Sequence, residues 1–331
     1  MTIELVLLVV ALLFVLGAEF INGWTDAPNA IATVVSTGSL SLHVAVPMAV
    51  VLNIAGALSG TAVAATIGKG IVTTAAVTIP AIAAAMVSII LWGAFAAYKG
   101  LPISKSHALV SGLAGAAIAG GGFQTLLWSG WEKIFIGMLL SVIAGFGLSF
   151  LIGRLIILVS ANWPPVRASR GYDIAHVCTA GTMAFAHGMN DGQKFIGIFA
   201  LVLMLGNGSQ EFHIAWWVII LCGLMMGLGT SLGGWRIIAT IGKKMVAIKS
   251  WQGFAATASA STTIIGASLF GIPLSTTHTI TTAIAGASSS RRISDVKWHV
   301  FGNVVRGWLF TFPCCGALAF GAALIANMLF T

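Results

Sequence analysis

Long apolar runs constrain this chain more than any other feature. Stretches near residues 3–21, 43–66, 79–98, 133–159, 212–235 and 298–328 are long enough, as helices, to cross about 30 Å of hydrocarbon. Only 7% of the 331 residues are charged and 58% are hydrophobic, whereas a soluble domain carries about 25% charged residues. The composition excludes a water-soluble globule and a disordered chain, and predicts an all-α polytopic membrane protein in contact with the lipid bilayer. Further apolar stretches near 101–122, 174–206 and 251–290 are interrupted by Gly, Pro, Asn, Asp or Ser/Thr clusters. Unbroken backbone hydrogen bonding is compulsory only against lipid, so these segments predict broken helices or re-entrant hairpins inside the protein.

The net charge of +8 does not point to nucleic acid, because no basic stripe is interleaved with aromatics. Residues 1–150 hold four basic residues (Lys69, Lys99, Lys105 and Lys133) and residues 151–331 hold twelve. Most of the twelve fall in short loops, a pattern of membrane topology. Cys178, Cys222, Cys314 and Cys315 lie in apolar segments without metal-ligand spacing and read as packing residues. The start, MTIELVLLVV, has no basic n-region or cleavage site and reads as a first span. Trp128, Trp131, Trp216 and Trp217 read as interfacial anchors. Gly56-x-x-x-Gly60 and Gly223-x-x-x-Gly227 read as close helix contacts, and Asn53 as a polar tie to the Gly229-Thr230 region.

Three segments recur in the same order. Gly23-Trp24-Thr25-Asp26 resembles Gly188-Met189-Asn190-Asp191, and Ala65-Thr66-Ile67-Gly68-Lys69 reappears as Ala239-Thr240-Ile241-Gly242-Lys243. Leu101-Pro102-Ile103-Ser104-Lys105-Ser106-His107 answers Ile272-Pro273-Leu274-Ser275-Thr276-Thr277-His278. Collinear matches at similar offsets indicate a duplicated unit, with a first membrane repeat over 1–160, a basic linker over 161–173 and a second repeat over 174–331. Basic loops at Arg236/Lys243/Lys244/Lys249 and Arg291/Arg292/Lys297 have first-half equivalents that hold only Lys69. Equivalent loops therefore face opposite sides of the membrane, the pattern of inverted-topology repeats. The linker, with Arg154, Arg167 and Arg170, falls on the cytoplasmic side, and both termini fall outside.

Asp26 and Asp191 occupy equivalent positions inside apolar segments, where burying a charge costs at least ~2.5–3.5 kcal/mol. Such a pair binds an ion or substrate, forms a structural buried pair, or serves catalysis. No nucleophile–base constellation accompanies it, so an enzyme is not expected. In the two Pro-x-Ser segments, Pro102 and Pro273 suit helix starts, and Ser104, Ser106, Ser275, Thr276 and Thr277 are N-cap residue types. A helix N-terminus binds phosphate-like anions; the plainer reading is that the hydroxyls only cap two helices. Inverted symmetry would bring both termini together near the membrane midplane.

These motifs resemble the inorganic phosphate transporter family of ion-coupled secondary transporters, which carries a Gly-x-Asn-Asp signature and a Pro-x-Ser-(Ser/Thr)-(Ser/Thr)-His hairpin in each half. The second half matches at Gly188–Asp191 with Gln193-Lys194, and at Pro273–His278; Gly229–Arg236 also looks familial. The resemblance runs from about Phe20 to Arg292. It implies two inverted repeats, each with a broken first helix and a re-entrant helical hairpin. It implies phosphate bound near Ser104, Ser106, Ser275, Thr276 and Thr277 and touching Asp26 and Asp191. Thr25, Asp26, Asn29, Asn190 and Asp191 would hold the coupling cation, sodium or a proton, with no other cofactor. A multi-pass protein of the plasma (inner) membrane and a homodimer are the corresponding expectations.

Two positions depart from that pattern. Thr25 stands where the family has Asn, and Lys105 where it has Ser or Thr. Lys105 either adds a fixed positive charge to the anion site, where it could replace one coupling cation, or snorkels away. His107, His278 and Lys194 are further modulators, the histidines read chiefly as neutral groups holding the hairpin turns by hydrogen bonds. Another oxyanion such as sulfate, or an uncoupled anion uniporter or channel, remains the alternative.

Overall fold

The computed structural model describes residues 2–74, 77–209 and 211–330, apart from the side chains of Ala27, Pro165, Arg167, Trp235, Gly242 and Lys243. Arg167 and Lys243, counted above among the basic loop residues, thus have side chains outside that description. The helices of the first half are α1 (Ile3–Ser36), α2 (Leu42–Leu58), α3 (Ala62–Gly70), α4 (Ile79–Lys99), α5 (Lys105–Gly121) and α6 (Trp128–Val159). The second half follows with α7 (Pro165–His187), a π turn (Gly188–Gly192), α8 (Gln193–Gly206), α9 (Trp216–Ser231), α10 (Trp235–Ala239), α11 (Ser250–Leu269), α12 (Thr276–Ser289) and α13 (Trp298–Phe330). Among the described residues the only β pairing is two isolated bridges, Val72 to Leu126 and Val246 to Val296. They fall at equivalent places in the two halves. The expected linker over 161–173 contains the start of α7, since Pro165 occupies a first-turn position where its missing N–H costs nothing.

Helices α1, α4, α6 and α13 are each long and apolar enough to cross a membrane, and α2 with α3 forms a fifth such stretch bent by 68°. The chain is a multi-pass integral membrane protein. Helix α6 shows how one sequence serves lipid and protein together. Its inner face is Gly130, Ile134, Gly137, Ser141, Gly145, Ser149, Gly153 and Ile156, while Leu139, Ile143, Leu151 and Leu155 are exposed. Small residues at helical spacing let a neighbouring backbone approach, which replaces the hydrophobic drive that lipid removes. That neighbour is α12, and the equivalent pairing is α13 on α5. Each half therefore covers the other half's hairpin with its own last helix. Helix α12 is buried on every side despite its run of threonines. Thr279 and Thr282 donate to the carbonyls of Ser275 and His278 four residues back, which satisfies the hydroxyls within the helix.

The expected break in the first helix of each half takes milder forms. Helix α1 continues through Pro28. A proline there leaves the Trp24 carbonyl without its helical donor, and Gly234, at φ 46°, packs against that carbonyl and the Pro28 ring. In the second half the signature Gly188–Gly192 forms the π turn between α7 and α8, a widened turn that re-aims side chains without ending the helix.

Helices α4 and α5 form one hairpin, α11 and α12 the other. Gly100 and Gly271, both left-handed (φ 67° and 66°), turn the chain between them. Each turn is held by the other half: Thr66 Oγ1 donates to the Gly271 carbonyl at 2.8 Å and Thr240 Oγ1 to the Gly100 carbonyl at 2.9 Å. The repeated Ala-Thr-Ile-Gly-Lys segments thus fasten the opposite hairpins.

Gly56 packs against the Phe185 carbonyl and Gly188 against the Asn53 carbonyl, whereas Gly60 and Gly227 meet side chains and Gly223 only looser contacts at 3.6 Å or more. At Gly286 in α12, a Cβ would fall 2.2 Å from the Phe146 carbonyl oxygen, whereas at Gly147 nothing lies within 4 Å. Gly286→Ala should therefore cost about 1–3 kcal/mol or more as overpacking, and Gly147→Ala less than about 0.5 kcal/mol. Thermal unfolding of the detergent-solubilised variants checks this; equal melting temperatures would contradict the α6–α12 packing.

Candidate functional site

The first turns of α5 and α12 meet in the centre of the molecule. Ser104 and Ser275 are their N-caps, accepting from the backbone N–H of His107 (3.2 Å) and His278 (3.3 Å). Ser275 Oγ in turn donates to Ser104 Oγ at 2.9 Å, so the two hairpin tips touch through their capping hydroxyls. Two helix N-termini pointing at one place concentrate unpaired N–H groups and partial positive charge there. The chain answers with two carboxylates, Asp26 from α1 and Asp191 from the π turn, both buried.

The hairpin hydroxyls are turned towards those carboxylates. Thr276 Oγ1 donates to Asp191 Oδ2 at 2.7 Å, and Thr277 Oγ1 lies 3.3 Å from Asp26 Oδ2. Lys194 forms a buried ion pair with Asp191 Oδ1. It also donates to Ser106 Oγ at 2.6 Å and to the Leu274 carbonyl at 2.7 Å, so it ties α8 to both hairpins. Asn29 Nδ2 donates to Thr277 Oγ1 at 2.9 Å. Asp26, Asn29, Ser104, Ser106, Asp191, Ser275, Thr276 and Thr277 are thus brought together as the sequence suggested, with Lys194 among them.

Beside the hydroxyls lies a place for a cation. One ligand atom from each of Asp26, His187 and Asp191 lies within 4.8 Å of the other two. His187 Nδ1 donates to Asn53 Oδ1 at 2.9 Å, which turns Nε2 towards Asp191 Oδ2 at 3.3 Å. Asn29 Oδ1 and Asn190 Oδ1 are buried without hydrogen-bond partners among the described residues. Carboxylate and amide oxygens are the hard donors that a cation such as sodium takes, and the imidazole suits a proton. His187 was not singled out in the sequence. Its only sequence signal is its place four residues before Asp191, one helical turn away.

Two of the expected contributors also bond outside the cluster. Thr25 Oγ1 donates to the Ile21 carbonyl of its own helix (2.7 Å) and lies 3.4 Å from Asp26 Oδ1. Asn190 Nδ2, at the equivalent position, ties to Ser268 Oγ of α11 at 2.8 Å. The first-half counterpart of Ser268 is Ala97, so the departure from Asn at position 25 goes with loss of the partner. The histidines do not hold the hairpin turns by side-chain hydrogen bonds as expected. Among the described residues both ring nitrogens of His278 lack a hydrogen-bond partner, and His107 reaches only the Trp308 carbonyl at 3.4 Å. Instead the two rings pack edge to face with centroids 4.5 Å apart, His278 resting against Trp308. Helix α13 supplies that aromatic wall, and nothing local to either motif announces it.

The chain matches the phosphate transporter family over residues 22–319. A probable low-affinity inorganic phosphate transporter of Bacillus subtilis is 37% identical across the whole of both chains. One of Rhizobium meliloti is 38% identical over 97% of this chain and 96% of its own. A solved structure, a sodium-dependent phosphate transporter, superposes over 98% of this chain and all of its own with a TM-score of 0.88 at 22% identity, so the fold is shared. Extensive likeness at this identity, carried through both signatures and both hairpins, leads to one conclusion: the chain belongs to the phosphate transporter family.

Proposed function

We propose that the protein takes up inorganic phosphate as a secondary transporter coupled to sodium or protons, by alternating access to the site between the hairpin tips. The observation that carries this reading is the meeting of two helix N-termini, four further polar donors (Ser106, Thr276, Thr277 and Lys194) and two carboxylates in one buried place. The donors suit a phosphate. The carboxylates oppose it: at ~4 Å and an effective dielectric of ~20, two unit charges repel by about 4 kcal/mol.

Coupling follows from that opposition. Thr276 and Lys194 are engaged with Asp191, and Thr277 with Asp26. A cation or proton on the aspartates reduces their hold on these donors and removes the repulsion, and the donors then turn to phosphate. Phosphate in its protonated ionic forms also keeps a hydrogen to donate to an aspartate, whereas sulfate has none. Leaving a buried acceptor unpaired discriminates by up to ~10⁴–10⁵-fold, so phosphate is favoured over sulfate.

Every expected phosphate ligand is at most 8% exposed, so entry and release require movement. The division into halves 1–160 and 174–331, inverted across the membrane, supplies a means. It is supported by the repeated order of helices and by the reciprocal Thr66–Gly271 and Thr240–Gly100 ties. Releasing one tie at a time would open the site to one side and then the other. The charge pattern of the loops supports a topology with both termini outside, and a plasma-membrane location is part of the same proposal.

Phosphate uptake into proteoliposomes under a sodium gradient or a proton gradient, imposed separately, tests the reading. Concentrative uptake under one gradient, with arsenate competing and sulfate not, is expected. Uptake that only equilibrates would mean an uncoupled anion path, and equal competition by sulfate would refute the selectivity argument. Asp191→Asn keeps the shape but strands Lys194 without its ion-pair partner. Breaking a buried charge pair costs about 2–5 kcal/mol, so cation-driven uptake should fall by at least ~30-fold; full activity would exclude the coupling role.

A further inference from the structure

The repeated motifs align Asp26 with Asp191, Asn29 with Lys194, Lys105 with Thr276 and Ser106 with Thr277. Contacts around the centre follow that register. Lys194 donates to Ser106 at 2.6 Å, as its counterpart Asn29 donates to Thr277 at 2.9 Å. Ser106 donates to the Leu274 carbonyl at 2.7 Å, and Thr277 Oγ1 lies 3.3 Å from the Ile103 carbonyl. The contacts to the two aspartates are not doubled: Lys194 pairs with Asp191, whereas its counterpart Asn29 makes no hydrogen bond to Asp26. Thr276 donates to Asp191, but its counterpart Lys105 makes no hydrogen bond to Asp26.

Lys105 is 1% exposed, and its Nζ has no hydrogen-bond partner among the described residues. Its ammonium lies in the cleft between α1 and α4, where a Cβ on Gly93 would come within 2.8 Å of it and within 2.6 Å of Ile21. The position equivalent to Gly93 is the buried Ile264 of α11. Three differences between the halves therefore go together: the lysine stands on the hairpin instead of the signature helix, asparagine takes the signature-helix place, and a glycine leaves room for the longer side chain. Lys105 and Asp26 lie within each other's electrostatic field. A buried ammonium without a partner is costly unless a partner comes to it during the working cycle.

We propose that Lys105 is the tethered counter-ion of the first half, standing in for one mobile cation at Asp26 when phosphate is bound. The flexible four-carbon stem carries the ammonium from beside Gly93 to Asp26 and to phosphate held against it. Each aspartate then has its own lysine, Asp191 from its helix and Asp26 from the opposing hairpin. Fewer mobile cations accompany each phosphate than in a chain with Ser or Thr at position 105. This inference rests on the coupled-transport reading of the site.

The test is phosphate uptake in proteoliposomes as a function of the concentration of the driving cation. Lys105→Thr, which installs the second-half residue, should lower uptake at low cation concentration and require one further cation, seen as a steeper cation dependence and a higher half-saturating concentration. Asn29→Lys/Lys105→Thr, which gives the first half the second half's arrangement, should restore the wild-type steepness. Lys105→Thr with wild-type cation dependence, or with a loss that Asn29→Lys does not repair, would overturn the proposal. Lys105→Met with wild-type rate and steepness would overturn it as well, because the charge would be dispensable. Wild-type protein that shows no gradient-driven uptake would refute the coupled-transport reading itself, and is separable from these results because it needs no variant.

Discussion

Two carboxylates buried between two helix N-termini set the terms for the rest of the molecule. Inside a membrane a carboxylate cannot be left to itself, and a pair of N-termini cannot be left without acceptors. Here each answers the other through a layer of hydroxyls. Ser104 and Ser275 cap the helices and touch, while Thr276 and Thr277 reach from the second tip to the aspartates. The same donors that would hold a phosphate are thereby occupied by the protein's own anions. In the proposed cycle that competition is what makes a cation useful: it weakens the internal acceptor and releases the donors.

Such an arrangement needs tips that are well placed yet able to part. The interleaving of the halves meets both needs. Helices α6 and α13 cover the hairpin of the opposite half through small residues in close backbone contact, so the tips sit at the end of rigid, tightly packed supports. The turns that lead into those tips, at Gly100 and Gly271, are tied to the opposite half's threonines, Thr240 and Thr66. A neutral hydrogen bond contributes only about 0.5–1.5 kcal/mol net, small enough to be exchanged during a transport cycle.

Much of this was legible in the sequence because duplication converts weak motifs into strong ones. Four of the six apolar runs became long spans and a fifth the bent α2–α3 stretch, while the run at 212–235 formed only the shorter helix α9; the paired Pro-x-Ser segments located both helix starts and both capping serines. What the motifs could not reveal depended on neighbours distant in the chain. The aromatic wall behind His107 and His278 comes from α13, so the histidines pack instead of bonding. Where α1 continues through Pro28, the residue that packs over the Trp24 carbonyl and the proline ring is Gly234 from the second half. His187 gains meaning only when α1 brings Asp26 alongside it. Lys105 and Lys194 looked alike as isolated basic residues in apolar surroundings. Their geometry separates them, one fully bonded at the centre and the other unpartnered beside a glycine.

In the proposed coupling, cation and phosphate bind cooperatively through the same two aspartates. Thermodynamic linkage then requires each ligand to tighten the other by the same factor. The most direct measurement is a pair of calorimetric titrations on the solubilised protein, phosphate with and without the coupling cation, and the cation with and without phosphate. The account predicts equal strengthening in both directions, abolished together in Asp191→Asn. Phosphate binding with the same Kd at every cation concentration would contradict it.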